Sequence, residues 1–397
     1  MIAAAGINLI QAADEPGSRF AHQLRHGATR QAFVWGICLL SGSCAGQEER
    51  SQREAEWNGP ACAVDGEFTV DRVPVVAEGE PLCTLVVHPL GVALAISDTS
   101  DADVKGHLVR TQSGDYLAVS YAGDVNRWNP RGELVGRVGS RGPGPHAFRA
   151  ATSVYVDPSD SIHISDPPGQ WHVLTPDGRM VRTIRGPSLA NRESVAFLDN
   201  GQVLVAVPNP PFTNLGARFV VLDRATGAVV KAFDPRELRD ALRDARLIGY
   251  GGGDQFWAVS PTRYELELWS VEGTLLGGIR RRAAWFHDND EGLMSTTGAR
   301  ILYLYVDAVA NVLWVTIIVF ERPRDLNEEG VEPGDYSIRV EAFSTRSGQL
   351  LISERFAADP LAFFPGVAPG VAYGINESAS GIPMITVLEY RLVARGE

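Results

Sequence analysis

Along most of the chain, apolar residues come in short runs, each closed by a cluster of Gly, Pro, Asp, Asn or Ser. The runs are too short for helices and rich in β-branched and aromatic residues, the pattern of strands joined by turns. The clearest stretch reads Ser153–Asp157, a Pro-Ser-Asp-Ser break, Ile162–Asp166, a Pro-Pro-Gly-Gln break, Trp171–Thr175, a Pro-Asp-Gly-Arg break and Met180–Ile184. That is four strands in about thirty residues. The cadence occurs over Leu117–Val138, Val154–Ile184 and Val203–Phe233. Repeats of this length, each a four-stranded sheet that cannot bury its faces alone, predict a β-propeller.

Turn centres set the number of repeats. They fall at Ser113-Gly-Asp115, Ser159-Asp160, Asp199-Asn-Gly201, Gly251–Asp254, Ala310-Asn311 and Gly374–Gly381. The expectation is an all-β chain: a six-bladed propeller of antiparallel four-stranded blades over 58–397. Phe68–Val76 supplies the first strand or two. The run Met384–Val393 is a strong strand placed to pair near the N-terminal strand and close the ring, since an open propeller leaves unpaired edges. One short helical insertion is expected after the third repeat. There Asp234, Pro235 and Glu237 form an N-terminal signature, and Leu238, Ala241, Leu242 and Ala245 share a face. Ile301–Phe320 is apolar enough to suggest a membrane span, but Asp307 and Asn311 interrupt two β-branched, aromatic halves, which predicts a buried hairpin.

The segment Gly136–Phe148 (Gly-Arg-Val-Gly-Ser-Arg-Gly-Pro-Gly-Pro-His-Ala-Phe), with Val154–Asp157, Ile162–Asp166 and Thr175–Gly178, resembles the repeat register of bacterial six-bladed propellers of the NHL-like class. The likeness covers roughly 108–235. It departs from the register at Asp157-Pro-Ser-Asp160, where the family has Asp-x-x-Gly. The resemblance implies a fold more than an activity, because the class includes binding modules, scaffolds and a few enzymes.

The termini and composition narrow the setting. Arg25, His26 and Arg30 precede the apolar run Ala32–Leu40, and small residues Ser41–Ala45 follow, the layout of an export signal over 1–45 with a polar linker over 46–57. Cleavage after Ala45 and lipidation of Cys44 are both compatible with it, so the chain is expected in the periplasm, membrane-anchored or secreted. Cys62 and Cys83 then remain, and an exporting route favours joining them in a disulfide over two buried thiols. Net charge is −12, which disfavours nucleic acid as a partner.

Motifs of catalysis are sparse. Gly139-x-x-Gly142-x-Gly144 is broken by Pro143 and Pro145 and leads to a strand, so it lacks the helix N-terminus of a dinucleotide loop. His22 and His26 lack the adjacent Glu of a zinc protease. His287–Gly292 and Asp98–Asp103 read as solvated acidic loops, and no cofactor or metal is implied. Topology supplies better candidates. In a blade of strands a–b–c–d, the d–a and b–c connections open on one face. That puts Arg141, His146, Arg149, Asp166 and Trp171 on one rim, joined by Asp124, Arg127 and Trp128, by Asn209 and Asn214, and by Arg263 and Tyr264 from other repeats. A competing structural reading has Trp128 and Trp171 at matching positions between blades. The functional expectation is a monomeric extracytoplasmic binding or scaffold module for a polar small molecule or an envelope protein. The alternative is a metal-dependent propeller hydrolase, lactonase or lyase working in the central channel.

Overall fold

In the computed structural model the described residues are 75–95, 104–120, 122–142, 144, 147–167, 169–185, 195–206, 217–235, 246–287, 298–320, 336–357, 362–377 and 383–395. Blade 1 is Val104–Arg110, Tyr116–Ser120, Val125–Trp128 and Leu134–Arg137. Blade 2 is Ser153–Val156, Ile162–Asp166, Gln170–Leu174 and Met180–Arg185. Blade 3 is Val195–Phe197, Gln202–Ala206, Ala217–Asp223 and Val229–Pro235. Blade 4 is Leu247–Gly249, Gln255–Val259, Glu265–Ser270 and Leu275–Arg281. Blade 5 is Ala299–Asp307, Val312–Phe320, Tyr336–Ser344 and Leu350–Ala357. Blade 6 takes Ala362–Ala368, Val371–Glu377 and Pro383–Ala394 from the C-terminus and its outermost strand, Cys83–Ala95, from the N-terminus.

The chain is therefore a six-bladed β-propeller. First strands touch between blades 1 and 2, 3 and 4, 4 and 5, and 5 and 6, and that of blade 6 touches that of blade 1; blades 2 and 3 meet through Tyr155, Trp171 and Val205. Closure is an antiparallel ladder from Cys83↔Ala394 to Ala95↔Met384. The closing strand is thus Cys83–Ala95, not Phe68–Val76 as the sequence suggested. Val75–Ala77 instead pairs parallel to Ile279–Arg281 and adds a fifth strand to the outer edge of blade 4. Residues 68–74 lie outside the described residues.

Alternating burial drives the assembly. Each blade is a two-sided sheet whose side chains pack against both neighbours, so apolar positions on each strand serve two interfaces. Blades 1 and 2 meet through Leu117, Val125, Val138, Phe148, Val154 and Ile164. Trp171 and Tyr155 pack with Val203, Val205 and Val220 between blades 2 and 3. Trp257 and Leu266 pack with Ile301, Leu313 and Val315 between blades 4 and 5. The Ile301–Phe320 hairpin forms as expected, turning at 308–311.

The turns explain how the repeat tolerates its departures. In blades 1, 2 and 3 the a–b turn closes with the same pair of backbone bonds, and Gly114, Asp160 and Gly201 occupy the same left-handed position. Asp160 takes φ of 62° there, which Asp tolerates better than other side chains. Its Oδ1 accepts the Gln112 N–H of blade 1 at 2.8 Å, so the departure from glycine ties two blades together. Two other expectations need correction. The sixth a–b turn is at Pro369-Gly370, and Gly374 lies inside a strand. Trp128 and Trp171 do not occupy matching positions: Trp128 is the last residue of its strand, opposite Tyr116, whereas Trp171 is near the start of its own, opposite Ser165. Both are buried. Asp234 and Pro235, the expected helix start, end the outer strand of blade 3; residues 236–245 lie outside the described residues, among which there is no helix.

Candidate functional site

The two ends of the ring differ in chain length. The a–b turns (111–115, 157–161, 198–201, 250–254, 308–311) and the c–d turns (129–133, 175–179, 224–228, 271–274, 345–349) are tight. Four d–a connections (138–152, 186–194, 236–246, 282–298) and two b–c connections (207–216, 321–335) are long, the d–a connection 358–361 is short, and all start and end at the opposite end. Chain available for recognition is thus concentrated at one face of a stiff scaffold.

On that face, the connection from blade 1 to blade 2 is built around one buried carboxylate. Asp166, 1% exposed, ends the second strand of blade 2. Its Oδ2 accepts the Arg149 N–H at 2.9 Å and its Oδ1 the Ala150 N–H at 3.2 Å. His172 Nε2 lies 3.2 Å from Oδ2, and Nδ1 lies 2.9 Å from the Thr183 hydroxyl. A buried carboxylate is costly unless its lone pairs are filled. Here two backbone N–H groups and a histidine fill them and fix the loop. Gly123, at φ +81°, fits only because it lacks a side chain: a Cβ would stand 2.9 Å from Ala150. A short parallel ribbon, Ser140–Arg141 with Ala147–Phe148, completes the platform.

This platform presents cations. Arg141 Nε donates to the Arg149 carbonyl at 3.0 Å, and both arginine side chains are exposed. Asp124, buried in the b–c connection of blade 1, pairs with the exposed Arg137 at 3.3 Å. A cleft of about 560 Å³ runs elsewhere, along the outer strand of blade 1 and the tight c–d turn of blade 2, lined by Arg127, Gly136–Gly139 with Arg137, Asp177 and Arg179; neither Arg141 nor Arg149 lines it.

Of the residues expected on the rim, Arg141, Arg149, Asp166 and Asp124 stand together at blades 1 and 2. Asp166 acts on the backbone and is not open to a ligand. Arg127 turns away: it pairs with Asp115 in the a–b turn, Nε to Oδ2 at 2.7 Å, and Nη1 donates to the Pro176 carbonyl of blade 2 at 2.7 Å. Trp171 is sealed between blades, stacked 6.4 Å from Tyr155. Arg263 is exposed on the b–c connection of blade 4. Tyr264 beside it is buried and donates its hydroxyl to Glu341 of blade 5 at 2.6 Å. His146, Asn209, Asn214, Cys44 and Cys62 lie outside the described residues. Cys83 is disulfide-bonded, and the other three cysteines all lie outside the described residues.

Sequence reasoning missed the polar staple between blades 4 and 5. Glu341, fully buried, accepts from Tyr264, from Arg281 Nε at 3.1 Å and from the Ser353 hydroxyl at 2.7 Å. Burial and the adjacent Glu341 carboxylate push the Tyr264 hydroxyl well above the usual tyrosine range. The partners are far apart in sequence and follow no motif, so only the packed blades reveal them. The inner strands also close on themselves. His107 of blade 1 stacks 4.5 Å from Tyr303 of blade 5 and meets the Tyr373 hydroxyl of blade 6 at 2.9 Å. Among the described residues no group of three or more His, Cys, Asp or Glu is placed to hold a metal ion, and no helix is long and apolar enough to cross a membrane.

No family model matches the chain, and no curated protein matches it. Solved structures do. A member of the DUF4221 family from Bacteroides vulgatus superposes with a TM-score of 0.56 at 12% identity, covering 77% of this chain and 98% of that one. A putative exported protein from Bacteroides fragilis superposes with a TM-score of 0.53 at 14% identity, covering 81% of this chain and 99% of that one. At such identities the likeness is one of fold alone, and it spans nearly the whole of both neighbours.

Proposed function

We propose that the chain is an exported binding module that holds a polar or anionic ligand, or an acidic peptide, on the face carrying its long connections. The observation that carries this is the platform between blades 1 and 2: a buried Asp166 fixes a backbone that displays Arg141 and Arg149 to solvent. Pre-organised loops bind with less ordering cost, and guanidinium groups offer planar, bidentate contacts to carboxylate or phosphate. Export is supported by the signal-like segment at 32–45 and by the likeness in fold to a putative exported protein from Bacteroides fragilis.

The test is a thermal-shift and calorimetric screen of the purified chain against organic acids, sugar phosphates and acidic peptides. It is repeated on Arg141→Ala/Arg149→Ala. Neither side chain lies in a blade interface, so the double variant should melt within about 0.5 kcal/mol of the native chain and lose at least tenfold in affinity for whatever hit the native chain gives. Equal affinity of the two proteins, or a hit that maps to the end with the tight turns, would refute the reading.

A further inference from the structure

Among the described residues one buried cation stands out. Arg300 lies near the start of the innermost strand of blade 5, 9% exposed, and no carboxylate among the described residues pairs with it. Its Nε is sealed from solvent and makes no hydrogen bond, and the Phe320 ring lies 6.0 Å from the guanidinium carbon. The register gives its direction. Arg300 pairs with Ile318, so it shares a sheet face with Ile318, Thr316 and Trp314. The opposite face carries Ile301, Leu313, Val315 and Ile317, which pack on blade 4. Trp314 packs on Phe363 and Tyr390 of blade 6, which places Arg300 on the blade 6 side. Three more buried polar atoms on that face lack a hydrogen-bond partner: Thr316 Oγ1, Trp314 Nε1 and, at the far end of the strand, Oδ2 of Asp307, seven residues on from Arg300.

A guanidinium does not shed its proton in a protein, so burial cannot be relieved by neutralisation. Burial alone lowers the affinity of Arg300 for its proton, to a pKa of about 10. A buried charge without a counter-ion is costly, and a ligand that supplies the counter-charge relieves that cost. Strand a begins, and strand b ends, at the end of the ring with the long connections, so Arg300 lies toward that face. The other arginines on the described strands of this blade, Arg339 and Arg355, belong to the opposite sheet face: Arg339 pairs with Ile317 and with Arg355. Among the described residues, then, no side chain supplies a counter-charge to Arg300.

We infer that Arg300 is the counter-ion of a monoanionic carboxylate, held at the blade 5–blade 6 seam by the guanidinium with the Thr316 hydroxyl as a second donor. A phosphate dianion would bring a second charge into the seam with nothing to balance it. The site is separate from the rim arginines, and either may stand without the other.

The experiment is melting of the native chain in sodium acetate, titrated against sodium chloride at constant ionic strength, with sodium phosphate as a parallel arm. Acetate should raise the melting temperature, by roughly 5 °C between trace and saturating concentrations, because a ligand of the folded state stabilises it in proportion to the logarithm of its excess over Kd. Chloride and phosphate should not. Arg300→Met should abolish the acetate shift and melt no lower than the native chain without acetate, since it removes an unpaired charge. Arg300→Gln is the second variant should the methionine not fold, and it too should ignore acetate. A native chain indifferent to acetate, or a variant that keeps the shift, would sink the inference. So would a variant that folds but melts far below the native chain in chloride, which would show that the chain itself neutralises Arg300. Loss of the rim reading alone, through Arg141→Ala/Arg149→Ala, leaves the acetate shift in place.

Discussion

Single residues in this propeller act mostly on its seams. Glu341 is the plainest case, a carboxylate at zero exposure whose three side-chain donors come from two blades. Tyr264→Phe removes one donor and leaves Glu341 its arginine and serine, so it should cost about 1–3 kcal/mol. Glu341→Ala strands Arg281 and should cost about 3–5 kcal/mol. Urea melts of both variants check the order, and a larger effect of the tyrosine change would contradict the assignment of Glu341 as the hub. Asp157 carries the pH dependence. Burial pushes its carboxyl up, but His163 Nε2 at 3.0 Å and the N–H groups of Ser161 and Ser159 outweigh that and hold it below the usual range. A carboxyl depressed in the folded state stabilises at pH above its unfolded value, near 4, and the contribution drains away as pH falls through the folded value. Asp157→Asn should therefore be destabilising at pH 7 and converge on the native chain in acid. A gap that stays constant from pH 7 to pH 2.5 would contradict this.

At the scale of the element, the tight turns do more than reverse the chain. Gly132, in the c–d turn of blade 1, has φ of +86°, and a Cβ there would lie 2.6 Å from the Ala93 carbonyl oxygen of the closing strand. Gly273 holds the equivalent turn of blade 4 against Phe233 of blade 3, with the same φ. Each of these turns is thus a contact onto the outer strand of the preceding blade. Gly132→Ala combines a left-handed backbone with a clash against main chain, and should cost about 2–3 kcal/mol. A solvent-exposed turn glycine would lose about 1 kcal/mol, so denaturant melts separate the two cases. Turns of this kind were legible in the sequence because Pro-Asp-Gly and Ser-Gly mark them locally. The sixth was not: Gly374, the cue, lies inside the strand Val371–Glu377, while the working turn is Pro369-Gly370. The side to which a strand residue points was legible only where the register was. Counting placed Arg127 on the rim, but its strand starts at Val125, and the guanidinium reaches the other end of the blade.

At the scale of the molecule, the fold depends on an N-terminal strand completing a C-terminal blade. The sequence carried the C-terminal half of that closure, since Met384–Val393 alternates strongly. It hid the N-terminal half, because Cys83–Ala95 contains Pro89 and Gly91 and reads as a broken run. The structure shows why the break is tolerated: the ladder shifts register between Pro89 and Val92 and resumes. Pro89 falls on the outermost strand, where a missing N–H is least costly. Cys83 opens this strand and is disulfide-bonded. We expect Cys62 as its partner; a bridge between them would close a loop of about twenty residues and stabilise by roughly 3 kcal/mol through the unfolded state. Ring closure amplifies its effect, because loosening Cys83–Ala95 exposes the edge of blade 6 and with it the seam to blade 1. Peptide mapping under non-reducing conditions should recover Cys62 with Cys83. Reductant should lower the melting temperature of the native chain by roughly 5–10 °C and leave that of Cys62→Ser/Cys83→Ser unmoved. Recovery of Cys83 with Cys38 or Cys44 would instead tie the closing strand to the signal-like segment and contradict its removal on export.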